Sequence, residues 1–340
     1  MSETRSSMGP HDVGGESGGP VDPADHGMAH WEKQANALLM VVARNRISTI
    51  DEMRRGREDI EKRDNAPDYF HRQTEALAGA LVERGRLTWD AIRARMAVIA
   101  GRFDVPIVAL PSHHHDDADD HDHAHGHEDD HDHTPYQEHD TGEPPHEHQL
   151  MSLAMQDLLE QQGLITADEV RRMIESFDDD YPYRGARVVA RAWVDPEFRA
   201  RLLQDARQAI EVEMGLDLEV QARIIALENT PSVHNVIVCT LCSCYPRFLL
   251  GHPPTWYKSR NYRSRVVHEP RTVLREFGTE LPDDVTVRVH DSNADMRYLV
   301  VPMRPAGTEG WSEERLAELV SRDAMIGVAV ARDPQEARAA

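Results

Sequence analysis

Two hydrophobic periods divide the chain. From His30 to Phe103 apolar residues recur at helical spacing, and Trp31, Ala35, Leu38, Leu39 and Val42 fall on one face of a first amphipathic helix. Thr49 and Asp51 are placed to start a second helix. Tyr69 to Val82, with Leu77, Ala80 and Leu81 apolar, reads as a third, stopped by Gly85, and Thr88 as the N-cap of a fourth that ends near Gly101. The helical period returns from Leu153 to Gln161 and from Ala167 to Phe177, then through RGARVVARAWVDPEFRARLLQDARQAI, where Asp195-Pro196 separates two helices. LVERGRLTWDAI (Leu81 to Ile92) and LLEQQGLITADEV (Leu158 to Val170) share a helix, a glycine stop and a threonine restart. In the second copy Thr166 and Glu169 form a capping box, so the echo is the local chemistry of a helix–helix corner and not a repeat architecture.

After Gly215 the period changes. The short apolar runs ARIIAL, NVIVC, VTVRVHD, RYLVVP and IGVAV, bounded by turn residues, predict strands, with Pro270 to Gly278 a helix between them.

Residues 112–148 follow neither period. They carry twelve of the chain's 20 histidines, and 113–148 hold thirteen acidic residues and no Lys or Arg. Such a composition cannot bury a core and predicts disorder. Two readings of it stand: a solvated linker, or a loose reservoir in which neutral imidazoles beside carboxylates bind cobalt, nickel or zinc weakly but in number. Residues 1–27, rich in Gly, Pro and Ser, predict an extended arm without a core. The division is therefore an arm (1–27), a helical domain (28–111), a His/Asp-rich linker (112–148) and an α+β domain (149–340).

Net charge is −22, but outside the acidic tract 38 basic residues face 47 acidic ones, an ordinary surface. The acidic balance argues against nucleic-acid binding, which needs a basic footprint. No apolar run is long enough to span a membrane, and MSETRSSMGPHDVGGESGGP has no apolar core of a secretory signal. With three cysteines, a reducing cytoplasm is the expected compartment.

All three cysteines, Cys239, Cys242 and Cys244, lie in VCTLCSCYP (Val238 to Pro246), so the chain concentrates its sulfur in one site. The i, i+3, i+5 spacing lets the sulfurs converge if the backbone curls, with the Ser243 amide nitrogen inside the curl. A structural disulfide strands one cysteine and closes no long loop. An iron–sulfur cluster lacks its fourth cysteine. Zinc needs a fourth ligand, for which His234 or His252 is available. The remaining reading is a mononuclear transition-metal site binding through thiolates and deprotonated backbone amides.

The flanks narrow these choices. ENTPSVHNVIVCTLCSCYP closely resembles the metal-binding segment of the nitrile hydratase α subunit, the family that also contains thiocyanate hydrolase. The resemblance continues through LGHPPTWYKS, YRSRVVHEPR, VLREFG, DSNADMRYLVVPMRPAGTEGW and SRDAMIGVAV, covering nearly all of Gln149 to Val330. PHDVGGE (Pro10 to Glu16), HWEKQANALL, YFHR and LVERGRLT resemble the N-terminal half of the family's β subunit, whose arm wraps across the α subunit. The chain thus resembles a fusion of that half, through the His/Asp-rich linker, to an α subunit.

The resemblance implies an α+β layered fold with helices outside a strand core, and a low-spin, non-corrin Co(III) or Fe(III). The metal ligands carried over are the sulfurs of Cys239, Cys242 and Cys244 and the main-chain amides of Ser243 and Cys244. Cys242 is implied as sulfinate and Cys244 as sulfenate, both on the ordinary oxidation ladder of cysteine. The Cys244 sulfenate oxygen is a candidate nucleophile or base, and Thr240 matches the cobalt-type form. The family also supplies β-subunit arginines to the oxidised sulfurs. Arg54, Arg55, Arg57 and Arg63 are candidates, and Arg63 is favoured, against a reading of all four as a solvated helix face. The family's paired tyrosines appear as Tyr69 and Phe70, so Tyr69 is the hydroxyl donor.

The β subunit's SH3-like barrel has no counterpart between Phe103 and the α-like part. This implies a separate chain supplying it in a hetero-oligomer, with a metallochaperone or activator as a further partner. Arg247 stands where typical nitrile hydratases have an aromatic residue. A guanidinium there favours an anion such as thiocyanate, unless it faces solvent or an interface carboxylate. The expected reaction is hydration of a C≡N bond, nitrile to amide, with thiocyanate hydrolysis to carbonyl sulfide and ammonia as the alternative. A cobalt-delivery protein is the non-enzymatic reading.

Overall fold

The computed structural model describes residues 12–335 apart from 62, 64–66, 103–144, 179, 180, 217 and 219–221. The N-terminal helices are α1 (His30–Arg44), α2 (Ile50–Glu61), α3 (Tyr69–Glu83) and α4 (Trp89–Ala100). Thr88 caps α4 through its side chain on the Ala91 amide, as the sequence predicts. Two further helices, α5 (Glu147–Gln161) and α6 (Ala167–Glu175), come from beyond residue 144 yet join the same core. Leu38, Val42, Leu77, Leu81, Ile92 and Met96 are buried together with Met151, Met155, Leu159 and Val170. The apolar face of this layer is therefore completed by residues from both sides of the 103–144 segment. Thr166 and Glu169 form the expected capping box at the start of α6.

The second core is α+β. Helices α7 (Tyr181–Val194) and α8 (Pro196–Gln204) meet at Asp195, which accepts from the Glu197 and Phe198 amides and starts α8. Strands β1 (Arg223–Glu228), β2 (Val233–Val238), β3 (Thr286–Asp291) and β4 (Met296–Val301) form two parallel ladders, β1 with β4 and β2 with β3. Parallel strands need covered faces, which explains the apolar runs of β1, β2 and β4, whereas β3 (TVRVHD) alternates. Ile237, Val238, Leu299 and Val300 pack against Val188, Val189, Trp256, Tyr257 and Tyr262, with helices outside the strands.

Three expectations are modified. IGVAV (Ile326 to Val330) is not a strand: helix Arg322–Ile326 ends at Gly327 with φ +94°, and a Cβ there would lie 2.0 Å from the Asn235 carbonyl oxygen. A glycine serves both the left-handed cap and the close backbone approach. Of the tract expected to be disordered, 112–144 lies outside the described residues, while His146 is the N-cap of α5 and Glu147 and His148 begin it. Of the arm, 1–11 lies outside the described residues, but 12–27 runs along the α+β core with Val13 and Val21 buried.

Candidate metal centre

The cysteine loop leaves the carboxyl end of β2. Val238 is in register with Asp291 at the end of β3, and the Ser292 amide donates to the Val238 carbonyl at 2.7 Å. This register delivers Asp291 to the loop's first turn, where its carboxylate accepts from the Thr240 amide at 3.0 Å and the Thr240 hydroxyl at 2.6 Å. Burial pushes the Asp291 carboxyl up despite those bonds, and the charges of Asp12 and Cys242 add to the rise.

Cys239, Cys242 and Cys244 are all free and buried. Their Sγ atoms lie within 4.8 Å of one another, with Cys242 at 3.7 Å from Cys239 and 3.5 Å from Cys244. The Cys242 amide points to Cys239 Sγ at 3.3 Å, and the Ser243 amide bears on the Cys242 sulfur. Burial pushes the Cys239 thiol up, whereas hydrogen bonds from Cys239 and Cys244, and then the charge of Arg57, hold Cys242 well below its ordinary value. The curl thus gathers three sulfurs and a backbone amide into one electron-rich pocket.

The zinc reading loses its fourth ligand. His234 is engaged by the Gly327 carbonyl at 2.7 Å and by Asn229 at 3.2 Å, and His252 by Asn36 at 3.3 Å. Neither histidine joins the sulfur cluster.

The backbone around the curl is tied down by buried side chains. Arg263, almost fully buried, donates to the carbonyls of Cys239 at 3.2 Å and Thr240 at 2.8 Å, and its remaining arm meets Glu61 of α2 at 2.8 Å. Tyr257 donates to the Cys244 carbonyl at 2.9 Å and Tyr262 to that of Ile237 at 2.6 Å. The arm closes the other side: Val13 bonds the Thr240 carbonyl and Gly15 that of Ser264, while a Cβ on Gly14 would lie 2.7 Å from Thr240 Cγ2.

From the helical layer, Tyr69 at the start of α3 brings its hydroxyl to 2.7 Å from Ser243 Oγ. Arg57 of α2 donates from Nη1 to the Tyr69 hydroxyl at 3.2 Å, and its Nε is covered without an acceptor among the described residues. Buried Lys258 sits over the rings of Tyr69 at 5.0 Å and Phe70 at 4.4 Å, and burial lowers its pKa to about 8. The structure brings Tyr69, Ser243 and the three cysteines together, and places Arg63 apart from them, its guanidinium half-exposed and bonded to Glu75 at 2.9 Å. The charge of Arg57 bears on Cys242 and Cys244. Arg247 begins a short helix, Arg247–Leu250, with Nη1 at 2.8 Å from Met40 Sδ of α1 and its guanidinium over Phe248. Arg263 is a site residue the sequence reading did not single out. In the sequence it stands between Arg260 and Arg265 in RNYRSR, and nothing there sets it apart from them.

The donor set fits a mononuclear metal. Sulfur and amide donors converge, and Arg57, whose Nε is covered without an acceptor among the described residues, brings its positive charge to bear on the same sulfurs.

A sulfur claw at the carboxyl end of a parallel strand, roofed by a helical layer that supplies a tyrosine and an arginine, defines a cysteine-ligated metal enzyme in two parts. The family model for the nitrile hydratase alpha chain matches residues 146–329, more than half of the chain, and that for the nitrile hydratase beta subunit, N-terminal, matches residues 8–129. The chain belongs to the nitrile hydratase family, with a β-type N-terminal part and an α-type part in one polypeptide, and it is an enzyme of the hydrating type. It is 52% identical over 192 residues to the high-molecular weight cobalt-containing nitrile hydratase subunit alpha of Rhodococcus rhodochrous, covering 56% of this chain and 94% of the relative. It is 42% identical over 198 residues to thiocyanate hydrolase subunit gamma of Thiobacillus thioparus, covering 55% and 82%. Among solved structures, a recombinant thiocyanate hydrolase with partially modified cobalt centres matches with TM-score 0.52 and 41% identity over 54% of this chain and 90% of that one. An iron-type nitrile hydratase from Comamonas testosteroni Ni1 matches with TM-score 0.51 and 44% identity over 53% and 88%. No helix among the described residues is long and apolar enough to cross a membrane.

Proposed function

We propose that the chain hydrates a nitrile to its amide at a non-corrin cobalt(III) held by Cys239, Cys242 and Cys244 through sulfur and by the amides of Ser243 and Cys244. The observation that carries this reading is the convergence of three buried sulfurs beneath Tyr69 and Arg57, which reach the same curl from the other core. Thr240 in the curl and the cobalt-containing relatives support cobalt. When bound, the trivalent ion supplies Lewis acidity, polarising a nitrile carbon or acidifying a water.

The chain's own groups set up the proton and charge handling. Cys242 as sulfinate and Cys244 as sulfenate give Arg57 Nε anionic oxygen acceptors, and charge-assisted bonds of this kind are the strong ones. Arg57 Nη1 occupies a lone pair on Tyr69 Oη, which leaves the phenolic proton free to be donated to Ser243 Oγ at rest or to a substrate nitrogen. Lys258 holds the Tyr69 and Phe70 rings in place from beneath. Asp291, Arg263 and Tyr257 fix the curl's carbonyls and first turn, so the sulfurs need little reorganisation.

Arg247 bears on the substrate. Its guanidinium is engaged by Met40 and Phe248 at the seam with α1, so it does not by itself call for an anionic substrate. The same positive charge and the likeness to thiocyanate hydrolase subunit gamma favour thiocyanate as the second reading. A separate chain with the SH3-like barrel completes the enzyme, and an activator loads the metal in the cytoplasm.

The test is purification with the co-expressed partner, then parallel assay on acetonitrile, a bulkier nitrile and thiocyanate. Mass spectrometry of the tryptic peptide spanning Cys239 to Arg247 accompanies it. Amide formation with added oxygen on two cysteines is expected. Three plain thiols around tetrahedral zinc, or cobalt handed on without turnover, would overturn the reading in favour of a structural or delivery protein. Full activity of this chain alone would remove the partner.

A further inference from the structure

We propose that His71, His146 and His148 form a second metal site, for one divalent first-row cation such as Zn2+, at the seam between α3 and the first turn of α5. One ring nitrogen from each histidine lies within 4.8 Å of the other two. The ring centroids of His71 are 4.4 Å from His148 and 5.0 Å from His146. A tetrahedral ion with nitrogen ligands at about 2.0–2.1 Å sets its ligand atoms roughly 3.3 Å apart, so rotations that move each ring by about 1.5 Å or less close the site.

Each ring is already held. His71 stacks on Trp31 at 5.1 Å with planes 17° apart, and His146 meets the same indole edge-on at 4.5 Å. His146 Nδ1 accepts from the Gln149 amide as the N-cap of α5, which leaves its other nitrogen for a ligand bond. His148 Nε2 is bonded to Glu75 at 3.0 Å, and Glu75 is held in turn by Arg63 at 2.9 Å. A carboxylate on one imidazole nitrogen fixes the tautomer and raises the basicity of the other, the usual outer support of a metal-bound histidine. Arg63, remote from the sulfurs, thus gains a place at the end of this relay.

The charge balance agrees with the geometry. Burial, followed by the neighbouring His148 and His146, lowers the pKa of His71 to about 4, and burial also lowers that of His146. Three imidazole nitrogens without a thiolate suit Zn2+, Co2+ or Ni2+ and not a hard oxygen-seeking ion. The site shares no ligand with the cysteine claw. It would clip α5, from beyond residue 144, to the turn of α3 that carries Tyr69.

The experiment uses the complete holoprotein with its claw metal content measured beforehand. Loosely held metal is removed with a mild chelator, and Zn2+ is titrated back against a chromophoric competitor. One tight equivalent is expected, separate from weaker binding by the histidine-rich tract. In His71→Ala and, independently, in His148→Gln, the tight class should weaken roughly tenfold or more, with the weak class and the claw metal unchanged. Absence of a tight equivalent in the wild-type chain, or a tight class unaltered in either variant that keeps its helical circular dichroism and claw metal, overturns the proposal.

Discussion

The hydroxyl oxygens of Tyr69 and Ser243 lie 2.7 Å apart although 174 residues separate them in the chain. This contact joins the β-type helical layer to the α-type claw at the residue whose amide sits among the sulfurs. Tyr69→Phe keeps the ring against Phe70 and Lys258 and removes only Oη. If that oxygen handles a proton, kcat should fall roughly 100-fold with little change in KM and in cobalt content. A kcat within about twofold of wild type, at equal metal content, would assign the hydroxyl a purely structural place.

Arg57 and Arg63 make opposite predictions. Arg57→Ala removes the guanidinium beside Cys242 and the donor to Tyr69, and charged hydrogen bonds are worth about 1.5–3 kcal/mol each. We expect kcat/KM to drop by roughly 10–100-fold, with faster loss of metal to chelators, and Arg57→Lys to restore only part of it. Arg63→Ala breaks a half-exposed pair with Glu75 and should leave turnover near wild type. Equal losses in both would show that the effect is on the helical layer and not on the sulfurs.

That pair also shows how far the sequence was legible. Helix α2 buries Met53 and Ile60, and Arg57 lies between them at i+4 and i−3, on the face that points inward, whereas Arg63 falls beyond the last helical residue. Helical periodicity alone separates the two arginines. The caps at Thr88, Thr166 and Asp195 were readable because each rests on one side chain and the next few amides. The strand expected at Ile326 to Val330 was not, because an apolar run containing glycine satisfies a buried turn as well as a strand. What placed Gly327 was the Asn235 backbone against it, a contact distant in sequence. Likewise the histidine tract reads as uniform, yet its last two histidines fold onto Trp31 and Glu75.

The arm supplies a third prediction. Gly14 sits so near Thr240 that a single added carbon would fall 2.7 Å from its methyl group. Thr240 is buried and doubly bonded to Asp291, so the arm is the side that must yield. Gly14→Val should lift Val13 and Gly15 off their partners and cost about 1–3 kcal/mol. Because the arm covers the curl, metal retention under chelator challenge should fall with stability. Unchanged retention with a lowered melting temperature would separate the arm's packing from any part in guarding the claw.

Glu52 gives a prediction in pH. It accepts from the Thr49 amide at 2.9 Å and the Ser48 hydroxyl at 2.9 Å, and Arg84 of the turn after α3 grips it with Nε and Nη2, both at 2.8 Å. Arg84 first, and the Thr49 amide next, hold its carboxyl down to about 2 from the ordinary 4.5. A depressed folded-state value means stability that is complete above 4.5 and is lost as pH falls from there toward 2. The pair stands at the solvent rim, so screening keeps its contribution, and the shift in melting temperature, small. Glu52→Gln should therefore melt slightly lower than wild type at pH 7, and the two curves should converge as pH falls through this window. The bond also fixes the start of α2, the helix that brings Arg57 to Cys242 and Glu61 to Arg263, so residual activity at pH 7 should fall in step with that loss. A melting difference that persists unchanged at pH 2.5 would mean that the side chain acts by packing and not by its charge.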